Sequence, residues 1–267
     1  MQRMNLDSRW AIVTGASAGL GRETAIVLAR DYRANLVLVA RREERLREVA
    51  QAVKDRFGTQ AEVLVADLSV TGEVERVFHE ATESHPIYGA VLNAGITHFG
   101  HWDEVGWESI EQTIMLNVMG QTRLATLLLP YLEQRGEEGG LLIVSSMTGL
   151  VTTVYQTVYS ATKAYLIHFG CGLYHEMRPR GVSVTTYAPG GISTEMNASA
   201  RWDGLRSWLM PADECARQGV RAMVERRYLY VPGTIYRLGS VVTRLLPQRF
   251  VVGTVARRYR RSLNTPR

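Results

Sequence analysis

The residues best placed to do chemistry are Tyr159 and Lys163, in the run Tyr159-Ser160-Ala161-Thr162-Lys163. Four positions apart on a helix, the two side chains share one face. A free phenol titrates near ~10 and is a poor acid or base at neutral pH. An ammonium held beside it favours the phenolate and draws that value toward the working range. Thirteen residues before Tyr159 stands Ser146, at the end of the apolar run Leu141-Leu142-Ile143-Val144. Its hydroxyl could bond a carbonyl oxygen next to the phenol. Asn117, in Leu116-Asn117-Val118-Met119-Gly120, would complete the set by holding a water next to Lys163. Each residue alone has a bland reading as a turn, a cap or a surface pair. Their joint occurrence, in order and at element ends, carries the signal. Lys163 adds to it: the chain has 29 arginines and only one other lysine, Lys54. An arginine cannot give up a proton in such a relay.

A second constellation lies at the start of the chain. Thr14-Gly15-Ala16-Ser17-Ala18-Gly19-Leu20-Gly21 follows the apolar run Ala11-Ile12-Val13 and opens an amphipathic stretch. Glycines there let the backbone approach a pyrophosphate, whose charge faces the free N–H groups of a helix start. The second apolar run ends Val39-Ala40-Arg41-Arg42, with alanine where a ribose-binding acid is expected and two arginines after it. Forked, charge-assisted bonds suit a 2′-phosphate, so NADP(H) is preferred over NAD(H). Arg42 also fits as part of a basic first helical turn.

These residues need a scaffold, and the pattern supplies one. Continuous apolar runs alternate with helical stretches of ten or more residues, the signature of βαβ units. The expected strands end near Val13, Ala40, Ala66, Leu92, Val144, Tyr187 and Val231, with one long helix over Glu104–Arg135 and another over Val158–Met177. The fold class is α/β: a Rossmann-like, doubly wound, seven-stranded parallel sheet in three αβα layers. A basic helical extension follows it. The chain reads as one domain, with a core over about 8–232 and an extension over 233–267.

With its Tyr-xxx-Lys pair and Thr-Gly-xxx-Gly-x-Gly turn, the chain resembles the short-chain dehydrogenase/reductase family. The match includes Asn93-Ala94-Gly95 and Pro189-Gly190-Gly191-Ile192-Ser193-Thr194. The resemblance implies that Tyr159 is the general acid, that Lys163 lowers its pKa and binds ribose, and that Ser146 positions the carbonyl. Asn117 would support the proton relay. It implies cofactor contacts from Gly15, Ser17, Gly19, Leu20, Gly21, Arg41, Arg42, Asp67, Leu68, the Asn93–Gly95 turn, Pro189, Gly190, Ile192 and Thr194. Asp67 would meet adenine, although it fits equally as a cap for the Ser69 segment. The implied reaction is reduction of a ketone or aldehyde by NADPH, in a homodimer or homotetramer. None of these motifs departs from the family pattern. The competing reading is an idle NADP(H)-binding regulatory or scaffold protein that acts through its tail.

Met147, Leu150 and Tyr155 are expected to line the substrate pocket, with Met196 and Trp202 from the segment before Pro211. The aromatic and methionine content of that segment fits either a mobile lid over an apolar substrate or a helix that packs down.

Composition narrows the classes further. The 267 residues carry a net charge of +5, with 46% apolar and 21% charged residues, as expected of an ordinary globular protein. Two cysteines, Cys171 and Cys215, exclude a disulfide scaffold and a zinc ribbon, and no metal site is expected. Residues 217–267 hold 12 arginines and one acid, whereas residues 1–216 hold 19 basic and 25 acidic residues. A uniform nucleic-acid-binding surface does not fit that asymmetry. The expected location is cytoplasmic, without a targeting segment. Two basic amphipathic stretches, Tyr236–Leu246 and Phe250–Arg261, are split by Pro247. Packing on the body or on a partner subunit is the favoured reading of this tail, with contact to an anionic membrane as the other.

Overall fold

Seven strands, most of five or six residues and one of two, form one parallel sheet in a computed structural model that describes residues 2–194 and 209–263. In chain order the first half comprises β1 (Trp10–Thr14), α1 (Gly19–Tyr32), β2 (Asn35–Ala40), α2 (Glu43–Phe57), β3 (Ala61–Val65), α3 (Thr71–Ser84) and β4 (Ile87–Leu92). The second half comprises α4 (Trp107–Ile114), α5 (Gln121–Glu133), β5 (Gly140–Val144), α6 (Thr157–Met177), β6 (Ser183–Tyr187), β7 (Ile192–Ser193), β8 (Met210–Pro211), α7 (Ala212–Val224) and β9 (Leu229–Tyr230). Sheet order is β3-β2-β1-β4-β5-β6-β9, with β7 and β8 forming a separate short pair. The order reverses between β1 and β4, which opens a crevice at the carboxyl ends of those strands.

Burial explains the unbroken apolar runs. Val13, Leu36 and Leu38 face a core that takes in Val27 and Leu28 of α1, Val49 of α2 and Met223 of α7. Ile12, Val37 and Leu92 face the opposite core, with Val77 of α3, Leu128 of α5 and Leu166 of α6. The central strands β1, β2, β4, β5 and β6 therefore bury both faces, while the edge strands β3 and β9 are only half-buried.

The expected long helical region over Glu104–Arg135 is helical without a break from Trp107 to Glu133. A short 3-10 turn occupies Trp102–Glu104, and α4 then runs into α5 through a π-helical segment at Met115–Gly120. A π turn inserts one residue into the helical ladder and is common at functional sites. Asn117 lies inside it.

Beyond Val231 the chain forms a helical hairpin, α8 (Thr234–Leu245) and α9 (Gln248–Leu263), turned at Pro247. Thus the basic extension is helical, and it folds back onto the body rather than away from it.

Candidate active site

The glycine turn is built by close approach. Gly15 has φ +67°, and a Cβ on Gly21 would stand 2.2 Å from the Gly15 carbonyl oxygen. Any side chain at Gly21 would force the turn apart. The turn is tied to β4 as well: Thr14 Oγ1 accepts the N–H groups of Asn93 and Ala94 at 2.9 and 3.0 Å, and Asn93 Nδ2 donates to the Thr14 carbonyl at 3.0 Å. No side chain caps the N-terminus of α1, whose first N–H groups face the crevice. That is a ready anion site.

At the end of β2 the two arginines make different contacts. Arg42 donates through Nε and Nη2 to Ser17 Oγ in the glycine turn, at 3.3 and 3.2 Å. Arg41 pairs with Asp67 at 3.3 Å. Asp67 also accepts the Ser69 N–H and hydroxyl at 3.0 and 2.7 Å. Burial pushes this carboxyl upward, but the Ser69 bonds and Arg41 outweigh it and hold the pKa below its usual value. Asp67 thus caps the Ser69 turn as the sequence allows, and its residue also stands on the crevice wall.

The chemical residues converge at the carboxyl end of β5. Ser146 Oγ donates toward the Pro189 carbonyl at 3.4 Å and accepts the Thr148 N–H at 3.2 Å. Ser145, its neighbour in sequence, donates instead to the Lys163 carbonyl at 2.6 Å and so braces α6. A Cβ on Gly149 would lie 2.5 Å from the Lys163 backbone, so the 147–149 turn rests directly on α6. Lys163 is buried and its Nζ donates to the Val144 carbonyl at 2.9 Å, 5.6 Å from the Tyr159 ring centre.

The pKa directions differ from the sequence argument. Desolvation lowers Lys163 to about 8. Burial raises the Tyr159 phenol to about 12; a hydrogen bond with Ser146 opposes this, and the Tyr259 phenol adds to it. Burial governs the phenol here, with the Lys163 Nζ set over the face of the ring rather than shifting the hydroxyl. The phenol is consequently protonated at neutral pH, the state a general acid needs.

One cavity of about 650 Å3 joins all of this. Its wall includes Gly15, Ser17, Gly19, Leu20, Arg41, Arg42, Asp67 and Leu68 at one end, then Asn93, Ala94 and Gly95. Ser146, Met147, Tyr159, Lys163, Pro189, Gly190 and Ile192 follow at the other, and Thr194 reaches back to the glycine turn at Gly19. Gly21 stands behind the turn. Asn117 is fully buried and not in the wall: its amide holds both the N–H and the carbonyl of Ile96 at 2.9 Å, and meets Thr162 Oγ1 at 3.2 Å. A Cβ on Gly95 would sit 3.1 Å from Asn117 Oδ1 and 3.5 Å from Lys163 Nζ, so the π turn and α6 meet across that glycine.

Two of the expected pocket residues fall elsewhere. Leu150, the residue that closes the 3-10 turn at Met147–Gly149, packs outside the cavity wall, with Ile167, Ala188 and Val231. Tyr155 is not in the wall; at φ +61° it forms a rim contact, its ring against His101 and its hydroxyl 3.3 Å from Arg260 Nε. Met196 and Trp202 lie outside the described residues. The sequence reading missed the hairpin's part in the wall: Tyr236 and Thr243 of α8, and Val251, Val255 and Tyr259 of α9. The three α9 residues recur every four positions, a stripe visible in the sequence but without an address. Tyr259 also packs edge-on against Phe99 at 5.4 Å.

Residues 9–204 match the family model described as short chain dehydrogenase. The chain belongs to the short-chain dehydrogenase family. The human protein named inactive hydroxysteroid dehydrogenase-like protein 1 is 29% identical over 206 residues, covering 76% of this chain and 62% of that protein. Tetrahydroxynaphthalene reductase of Pyricularia oryzae is 32% identical over 200 residues, covering 73% of this chain and 68% of its own length. A Sphingobium yanoikuyae short-chain dehydrogenase, solved in complex with NADPH, superposes with a TM-score of 0.79 at 29% identity, covering 88% of this chain and 92% of that one. The parallel sheet with its flanking helices is the short-chain dehydrogenase architecture.

Proposed function

We propose that this short-chain dehydrogenase is an NADP(H)-dependent oxidoreductase that reduces an apolar ketone or aldehyde to its alcohol. The observation that carries this reading is the meeting of Ser146, Tyr159 and Lys163 in the same cavity as the glycine turn and the Arg41–Arg42 pair. The crevice fits a dinucleotide phosphate: an uncapped helix start lies beneath it, and guanidinium groups close its far end. Gly15, Gly19 and the α1 N-terminus would hold the pyrophosphate, Arg41 and Arg42 the 2′-phosphate, and Lys163 the nicotinamide ribose. Thr194 stands 3.3 Å from where a Gly19 Cβ would be, beside that path. When bound, NADPH supplies the hydride from its nicotinamide ring.

The chain's own residues do the rest. Ser146 orients the carbonyl oxygen, and Tyr159, protonated in this environment, donates the proton that oxygen acquires. The two hydroxyls together stabilise the charge that develops on it. Lys163 holds positive charge at neutral pH and Asn117 positions the Gly95–Ile96 backbone beside it. On the substrate side Met147, Val151, Val251 and Val255 present apolar surface, which favours an apolar carbonyl compound.

The name of the human relative points to a second reading, an idle dinucleotide-binding protein. A panel of carbonyl substrates with NADPH, run on the wild type and on Tyr159→Phe, separates the two. Turnover abolished by the substitution supports the reductase. Tight NADPH binding with no turnover across the panel supports the idle protein.

A further inference from the structure

The α8–α9 hairpin is two-faced. Tyr236, Ser240 and Thr243 of α8 turn toward the body, and Tyr236 packs on Gly190. The opposite face of α8 carries Ile235, Leu238, Val241, Val242 and Leu245, and those five positions sweep roughly 120° of helix surface at ~100° per residue. All five are exposed; Ile235, Leu238 and Leu245 keep 76%, 67% and 81% of their surface in solvent. Leu246 and Phe250 continue the patch through the Pro247 turn, and Phe250 is 62% exposed beside the Arg249 guanidinium, 5.4 Å from its ring centre. A contiguous aliphatic face of this kind on a globular protein marks an interaction surface.

Charge identifies the occupant. Residues 234–263 contain seven arginines and no acidic residue. A second copy docked face to face would oppose arginines with arginines. Nucleic acid would leave the aliphatic stripe unsatisfied. Arg237 and Arg260 turn to the body, at Val231 and Tyr155, but Arg249 lies on the patch beside Phe250. An anionic bilayer satisfies both features, taking the aliphatic side chains below the headgroups and the Arg249 guanidinium among them. At ~18 Å, α8 is long enough to lie in that interface but not to cross it, and no described helix is long and apolar enough to span a membrane. We infer that the outer face of the α8–α9 hairpin is a seat for an anionic lipid surface, and that the protein binds it peripherally while the hairpin's inner face still closes the cavity.

The test is flotation of the full chain with phosphatidylcholine vesicles, with and without phosphatidylserine. Leu238→Glu/Leu245→Glu serves as the variant, with circular dichroism and Tm as checks of its fold. Expected are binding to the phosphatidylserine vesicles that weakens with salt, little binding to phosphatidylcholine alone, and a loss of at least ~tenfold in the folded double variant. A milder variant, Leu238→Ser, is expected to lose binding partially if the double variant fails to fold. Failure of the full chain to float with either vesicle overturns the inference. So does a dimer in solution that the same substitutions convert to monomer without vesicle binding, since the face would then belong to a second copy. Neither outcome depends on the reductase reading, because the readout is flotation and not turnover.

Discussion

The cavity is closed by two regions built on opposite terms. The cofactor end is held by hydrogen bonds of polar side chains on short turns: Asn93 on the Thr14 carbonyl, Arg42 on Ser17, and Asp67 on the Ser69 turn. The hairpin end is pinned by side chains meeting across long sequence distances, Tyr259 on Phe99, Arg260 on Tyr155 and Tyr236 on Gly190. One region has no room for a methyl group at Gly21, while in the other a Cβ on Gly253 would meet nothing within 4 Å. Chemistry shared by a family can be held rigidly and encoded locally. A wall that selects a substrate can be loose, exposed and appended.

Substitutions should separate the two regions by what they change. The largest effect is expected from Tyr159→Phe, which removes the proposed proton donor. Turnover should fall by ~10³-fold with NADPH affinity little altered, as measured by steady-state kinetics and fluorescence titration. Arg42→Ala at the cofactor end should reduce the preference for NADPH over NADH by ~10–100-fold, read from the ratio of kcat/KM values. An unchanged ratio would take Arg42 out of phosphate recognition.

Next is a pH effect. Lys163 is lowered to about 8, so it is charged below that pH and loses its charge above it, whereas Tyr159 at about 12 stays protonated throughout. In the reductive direction kcat/KM should fall on an alkaline limb near 8, by ~tenfold per pH unit beyond it. A flat profile to pH 10 would break the assignment.

At the hairpin end, Tyr259→Ala should raise KM for the carbonyl substrate by ~tenfold while NADPH binding is kept. A loss of NADPH binding instead would erase the division between the two ends. The smallest effect is expected from Gly253→Ala. Inside an uncrowded stretch of α9 it should add ~0.5–1 kcal/mol of stability, visible as a raised Tm, because glycine costs a helix more backbone entropy than alanine.

Much of the site was legible because its signals are local. The Tyr159–Lys163 spacing specifies one helix face, and Ser146 and Asn93 sit where apolar strands stop. Leu150 and Tyr155 show the limit of that reasoning. Nearness to Ser146 in sequence suggested a shared pocket, yet Leu150 packs on Ile167, Ala188 and Val231, and Tyr155, at φ +61°, meets Arg260 on the rim. The π turn at Asn117 was not legible either, since one extra residue in a helix leaves the apolar periodicity almost unchanged.

The sequence by itself determined the alternation of strands and helices, the glycine turn, and the residue types available for proton transfer. These follow from burial on both faces of a sheet and from spacing along one helix. Only the tertiary structure decided that dehydration, not the neighbouring ammonium, governs the Tyr159 phenol. It alone decided that the basic tail returns to wall the cavity with Val251, Val255 and Tyr259. Both depend on which surfaces lose water against which others, and residues far apart in the chain settle that by packing together.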